Sequence, residues 1–262
     1  MRDDLGNRMK DNYENRSKTY LTRRTPVIIR LDGKAFHTFT RGFNKPFDEI
    51  LSEAMMGTMQ YLCENIQGCV LGYTQSDEIT LVLVDYKNLS SEAWFDYNVQ
   101  KLCSVSASMA TLAFNRAFSQ ILEQRKMLGN TPDYFAHKQA IERGAMFDAR
   151  CFNIPKEEVT NCLIWRQQDA TRNSIQMVAQ ANFSHKALQG LNTSQLQGLL
   201  LVEKGINWSD FPTHLRRGAC CIRNSYDGDR SEVWEIDLNI PKFTEDRNYI
   251  NDLIDYHEDA HT

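Results

Sequence analysis

A chain of 262 residues, 42% hydrophobic and 24% charged, is long enough for one large packed domain and too apolar for intrinsic disorder. Its opening, Met-Arg-Asp-Asp-Leu-Gly-Asn-Arg-Met-Lys, is too charged for a signal-peptide core, and no apolar run approaches the ~18 residues of a membrane span. The expectation is a cytoplasmic protein without membrane contact. Net charge is −4, yet residues 1–45 hold 11 Lys/Arg against 5 Asp/Glu while residues 225–262 hold 3 against 11. A basic amino-terminal arm suits a phosphate-rich ligand, although a solvated surface of mixed charge is the plainer reading. Seven cysteines, none in a Cys-x-x-Cys pair, read as reduced and mostly buried thiols.

In chain order, Arg24–Leu31 reads as a strand with Pro26 at its start, where a missing N–H is tolerated. Ile50, Leu51, Met55, Met59 and Leu62 recur at helical spacing and predict a helix over Asp48–Asn65. Cys69–Thr74 and Glu78–Asp85 read as two short strands around a polar turn. Trp94–Leu122 is a long helical stretch, and Gly144–Ile154 returns as a strand. Strand, helix, strand, strand, helix, strand is the βαββαβ order of a ferredoxin-like α+β domain, a pattern that polymerase palms share. Beyond Pro155 come helices over Glu157–Phe183 and Thr193–Glu203. Then Arg217–Asn224 and Glu232–Leu238 form a hairpin turning at Tyr226-Asp227-Gly228-Asp229. The expected organisation is a palm over residues 1–154 and a helical and β-hairpin extension over residues 155–262, packed as one integrated domain.

Chemistry concentrates where two of these strands end. Asp32-Gly33 closes the first, and Ser76-Asp77-Glu78 lies in the turn between the next two. A lone strand-end Asp is most often a turn former. Two of them at neighbouring strand ends can hold a pair of Mg²⁺ ions for phosphoryl transfer. Gly33, lacking Cβ, would let a triphosphate or metal approach the backbone, and Lys34 and Lys45 follow within reach of phosphate charge.

Arg30-Leu31-Asp32-Gly33, Phe36-His37, Lys45-Pro46, Gln75-Ser76-Asp77-Glu78, Phe147-Asp148-Ala149-Arg150 and Trp165-Arg166-Gln167-Gln168-Asp169 occur together in this order. Their order and spacing resemble the tRNA(His) guanylyltransferase family over about Leu5 to Leu238, and most of all its bacterial guanylyltransferase-like branch of 3′-to-5′ polymerases. The resemblance implies that Asp32 and Asp77 bridge two Mg²⁺ ions, with the Gly33 carbonyl contributing. It places Lys34, Phe36, His37, Lys45, Asp48, Ser76 and Glu78 near the nucleotide, and Arg150, Arg166, Asn173 and Lys204 near RNA phosphates. Three of these have a plainer reading: Lys45 as a surface lysine, Glu78 as the start of a strand, Arg150 as an ion-pair partner of Asp148. An imidazole is a natural general base, but metal activation leaves His37 without that task, and nucleotide contact suits it better. Guanosine-adding relatives carry His-Ile-Asn-Asn where this chain has Thr171-Arg172-Asn173-Ser174, retaining only Asn173.

The implied activity is template-dependent addition of NTPs to the 5′ end of truncated tRNA, after activation of a 5′-monophosphate with ATP or GTP. The implied assembly is a homotetramer. A dedicated guanylyltransferase for tRNA(His) is the alternative, and a non-catalytic nucleotide- or RNA-binding module the alternative of another class. His257-Glu258-Asp259-Ala260-His261 matches the H-E-x-x-H zinc pattern but sits at the end of an acidic tail with no third ligand in view.

Overall fold

The computed structural model describes residues 4–129, 133–225 and 232–255. The 226–229 turn and the H-E-x-x-H copy lie outside them. The described elements begin with α1 (Asp4–Asn12), β1 (Val27–Gly33), α2 (Phe36–Phe39), α3 (Glu49–Asn65), β2 (Cys69–Gln75), β3 (Glu78–Leu83) and α4 (Val99–Met127). They continue with α5 (Tyr134–Arg143), β4 (Phe147–Asn153), α6 (Lys156–Asn182), α7 (His185–Leu188), α8 (Thr193–Lys204), α9 (Thr213–Arg217), β5 (Ala219–Ser225), β6 (Glu232–Asp237) and α10 (Asn248–Ile254).

The strands form one sheet in the order β4-β1-β3-β2-β5-β6, every neighbouring pair antiparallel. The first four strands in the order 4-1-3-2 are the sheet of a βαββαβ domain, so the α+β ferredoxin-like expectation is met. The hairpin β5–β6 extends that sheet from the edge of β2.

Alternation along β1 divides the core in two, because successive side chains of a strand face opposite ways. Val27, Ile29 and Leu31 pack with Met55, Met59 and Leu62 of α3 and with Phe114 and Phe118 of α4. Ile28 packs on the other face with Leu71, Val82, Val159 and Leu163, closed by Phe243 and Ile250. A third cluster joins α6 to α8 through Ile175, Val178, Leu196 and Leu200. Burying an aliphatic side chain of this size contributes about 1.5–3 kcal/mol, so these layers rather than the polar contacts hold the sheet in place.

Two element boundaries moved for local reasons. Arg24 adopts φ +60°, off the extended region, so β1 starts only after Pro26. Phe95, Asp96 and Tyr97 have φ values of +50°, +53° and +55°. The long helix therefore begins at Val99, where the Asn98 side chain caps it by accepting from Lys101 N–H at 3.0 Å. All seven cysteines are free, as expected of reduced thiols.

Candidate active site

The ends of β1 and the β2–β3 hairpin are tied by backbone. The hairpin turn is Ser76-Asp77, with Gln75 and Glu78 as the last paired residues. The Gly33 N–H donates to the Asp77 carbonyl at 3.0 Å, and on the other side the Lys34 N–H donates to Met146 O at 2.9 Å. Asp32 is thus fixed beside Asp77. Ser76 takes φ +51°, a conformation L-residues adopt at a cost, and its hydroxyl donates to Asp77 Oδ1 at 3.0 Å. Gly33 is required from beneath: a Cβ there would stand 2.3 Å from the Phe36 ring. That ring packs against Phe39, Phe114 and Phe147. Close approach of a core aromatic, rather than of a ligand alone, therefore excludes a side chain at Gly33.

Asp32 is in register with Glu78 on β3 and with Asp148 on β4. In-register neighbours share a sheet face, so one face ends in a row of three carboxylates with Asp77 in the adjoining turn. Burial pushes the Asp77 carboxyl up, the Ser76 hydroxyl pulls it back, and the Asp32 charge adds to the rise. Burial likewise raises Glu78, against the pull of the Arg166 and Arg30 guanidiniums. Among the described residues no group of three His, Cys, Asp or Glu side chains is placed to hold a metal alone. Two crowded carboxylate groups fit Mg²⁺, which is held by one or two carboxylates together with phosphate and water oxygens.

The sequence-derived residues separate into distinct positions. Phe36, His37, Lys45, Asp48, Ser76 and Asp77 line one open cleft of about 560 Å³, to which Met177 and Gln180 of α6 also contribute. Asn173 lines an adjoining and more apolar pocket, bounded by Met55, Met56 and Leu215, that shares Asp48, Leu51, Ser76 and Met177 with the cleft. Lys34 is exposed, with its backbone held as described. Arg150 is ion-paired with Asp148 at 3.0 Å, both well exposed. Lys204 lines neither cavity, and its ammonium stands over the Phe183 ring.

Arg166 is buried under the carboxylate row. Its Nε donates to Glu78 at 2.7 Å and its NH2 group to Asp169 at 2.7 Å, and Arg172 also bonds Asp169. Those contacts engage Nε and one of the two terminal nitrogens of the Arg166 guanidinium. Glu78, in turn, gives its Oε1 to Arg166. Trp165 beside it is half exposed, its ring approached by Arg166 at 4.2 Å and Arg30 at 5.5 Å. Sequence reasoning did not single out His137, whose Nε2 lies 2.8 Å from Asp48 Oδ2. Nothing near His137 in the chain signals that contact across 89 positions.

An antiparallel βαββαβ sheet with paired carboxylates at the ends of its first strand and first hairpin, opening on a cleft that carries an exposed lysine, defines a palm suited to nucleotidyl transfer. A family model described as tRNAHis guanylyltransferase matches residues 6–155. A bacterial tRNA(His) guanylyltransferase-like protein solved in complex with ATP is 43% identical, with a TM-score of 0.82 covering 97% of this chain and 100% of that one. A bacterial guanylyltransferase-like structure in complex with GTP gives 41% identity, a TM-score of 0.78 and coverage of 96% and 99%. The uncharacterized protein R259 of Acanthamoeba polyphaga mimivirus is 33% identical over 82% of this chain and 75% of its own length. The probable tRNA(His) guanylyltransferase of Drosophila melanogaster is 27% identical, and the match spans 66% of that protein. The chain belongs to the tRNAHis guanylyltransferase family of nucleotidyltransferases.

Proposed function

We propose that the protein is a template-dependent 3′-to-5′ nucleotidyltransferase that repairs the 5′ end of truncated tRNA. The observation that carries the reading is the juxtaposition of Asp32 and Asp77 beside a cleft lined by His37, Lys45 and Ser76. In the first step a 5′-monophosphate oxygen of the RNA attacks the α-phosphate of ATP, forming the 5′-adenylylated end and releasing pyrophosphate. In the second, the 3′-hydroxyl of an NTP attacks the activated 5′-phosphate and AMP leaves.

Asp32, Asp77 and the Gly33 carbonyl would hold two Mg²⁺ ions. When bound, Mg²⁺ makes an attacking oxygen more acidic and neutralises charge that builds on the phosphoryl oxygens. Lys45 brings a mobile point charge to the triphosphate, and His37, which lines the same cleft, contacts the nucleotide. Ser76, held by its bond to Asp77, fixes the direction of that carboxylate. Arg150 can exchange Asp148 for a phosphate at little cost, because an exposed ion pair contributes about 0–1 kcal/mol. Lys204 supplies a further contact to RNA phosphate. Asn173 borders a pocket whose apolar walls suit a nucleobase. ATP, and GTP as an alternative activator, are favoured by the ATP and GTP complexes of the bacterial structures.

Repair is preferred over dedicated addition of guanosine to tRNA(His) because Thr171, Arg172 and Ser174 replace three of the four residues of the guanosine-adding pattern. A site that copies a template leaves discrimination to base pairing. The same reading includes a homotetramer in the cytoplasm, and α1, which buries none of its residues and exposes Leu5 and Met9, is available for such assembly. The test incubates the protein with labelled, 5′-monophosphorylated, 5′-truncated tRNA, Mg²⁺, ATP and each NTP singly. Extension by the templated nucleotide, through an adenylylated intermediate, is expected. Absence of any Mg²⁺-dependent incorporation would leave only a binding module.

A further inference from the structure

His137 has no part in the transfer chemistry just described, yet it is a completely buried titratable side chain joined to the cleft. It sits on α5, the helix between α4 and β4, and its ring stacks on Phe43 with centroids 4.3 Å apart and lies against Phe118 at 5.9 Å. Its Nδ1 is 3.0 Å from the Asp133 carbonyl oxygen and its Nε2 is 2.8 Å from Asp48 Oδ2. A carbonyl oxygen can only accept. Asp48 acts as an acceptor throughout: Oδ1 takes the Leu51 N–H at 3.0 Å, and Oδ2 takes the Asn44 N–H at 3.2 Å. A neutral imidazole carries one N–H and would face one of these two acceptors with a lone pair. Two acceptors call for two N–H donors, which is the imidazolium.

The chain of contacts leads into the cleft. Asp48 caps α3 and also holds the backbone of Asn44, so the segment Asn44-Lys45-Pro46-Phe47 is closed into a loop on one carboxylate. That loop carries Lys45 along one wall of the cleft. Without His137 the Asp48 carboxylate would be a buried charge with only backbone partners. It would then be drawn toward solvent or toward a proton, and either would slacken its hold on Asn44.

We propose that His137, as a buried imidazolium, is the positioning residue that holds the Lys45 loop in its nucleotide-binding conformation by clamping Asp48. The proposal rests on the nucleotidyltransferase reading for its kinetic consequence, but not for the charge state of His137. It works through the population of one loop conformation, so it acts on nucleotide affinity and leaves the metal-held carboxylates alone. If removal of the clamp leaves the loop competent about a tenth of the time, the apparent nucleotide Kd rises about tenfold. The charged groups that face the ring are Asp48 from the start of α3 and Asp133 from the start of α5; the Phe43 and Phe118 faces are uncharged. Burial works against the imidazolium, and Asp48 and Asp133 more than restore it, leaving His137 above the ordinary histidine range.

The experiment has two arms on the full chain. Long-range ¹H–¹⁵N NMR of the histidine side chains, assigned with His137→Gln, reads the protonation of both ring nitrogens at pH 7. The imidazolium pattern is expected, and a neutral tautomer would overturn the proposal whatever the activity. Equilibrium dialysis with ATP and Mg²⁺, alongside steady-state kinetics, then compares parent, His137→Gln, His137→Gly and Asp48→Asn. His137→Gly should bind ATP about tenfold more weakly with kcat within about threefold, and added imidazole should restore binding. His137→Gln, which keeps one donor toward Asp48, should fall between. Unchanged ATP affinity in a folded His137→Gly protein overturns the positioning role, as does an equal loss in kcat that imidazole does not repair. A parent protein that binds ATP but transfers nothing would count against the functional reading and leave this one standing.

Discussion

Replacing Arg166 by Met tests whether the residue under the carboxylate row is a strut or an RNA ligand. Its side chain is 7% exposed, and its partners Glu78 and Asp169 are 12% and 27% exposed. Methionine preserves most of the volume and removes the charge, so Glu78 loses its hydrogen-bonded partner and keeps only the Coulombic pull of Arg30. Breaking a buried pair by deleting one partner costs about 3–5 kcal/mol, whereas an exposed pair costs under about 1 kcal/mol. Asp169 keeps Arg172 as a partner, which places the expected loss near the lower bound, about 3 kcal/mol. For a chain of this length that corresponds to a fall in Tm of about 6–12 °C. The charge left on Glu78 is the cause, so adding Glu78→Gln to Arg166→Met should recover part of the loss, a coupling that a double-mutant cycle measures directly. Urea denaturation followed by circular dichroism gives the stabilities, and filter binding of 5′-phosphorylated tRNA gives affinity. If Arg166→Met costs less than about 1 kcal/mol while tRNA affinity drops tenfold, the strut is refuted and the phosphate role suggested by the motif is reinstated.

Three further outcomes are expected. Asp32→Ala or Asp77→Ala should abolish both adenylylation and nucleotide addition while Tm changes little, as read by gel assay and thermal unfolding. Burial and the neighbouring Asp32 raise Asp77, so on acidification Asp77 takes up its proton, and loses its hold on a cation, above the ordinary aspartate range. The Mg²⁺ concentration for half activity should therefore climb on the acid side, and a flat Mg²⁺ requirement down to the pH of ordinary aspartate titration would contradict this. Lys45→Ala should reduce the slope of log K for nucleotide or RNA against log salt by about one unit, the signature of one lost phosphate contact; an unchanged slope would assign Lys45 to the solvated surface.

The sheet was legible because its determinants are local. The β-branched run Val27-Ile28-Ile29, the helical spacing of Ile50, Leu51, Met55, Met59 and Leu62, and the polar Ser76-Asp77 turn each announce an element within a few residues. The boundaries that moved, at Arg24 and at Phe95–Tyr97, did so where side chains occupy left-handed backbone that no apolar pattern encodes. Partner identity was illegible for the same reason. Arg166 and Glu78 are 88 positions apart, and His137 and Asp48 are 89. A motif that places arginine near RNA does not reveal that a carboxylate from a distant strand will engage it. Phe36 was read as a neighbour of the nucleotide; it is among the residues that line the cleft, while its ring fills the space under Gly33. The α5 helix went unread because it buries only His137 and Ala140, too few apolar positions to show a helical stripe.

The claim at the centre of the account is that base pairing, and not a reader of one particular tRNA, selects the nucleotide added. The direct measurement keeps a 5′-truncated, 5′-monophosphorylated tRNA constant and changes only the acceptor-strand base opposite the vacant 5′ position, scoring incorporation from each of the four NTPs. Template-dependent repair predicts that the added nucleotide changes with the opposing base, across several tRNA species, and that guanosine opposite a mismatch is added poorly. Guanosine added whatever the opposing base, and only to tRNA(His), would contradict the account and leave a dedicated guanylyltransferase in its place.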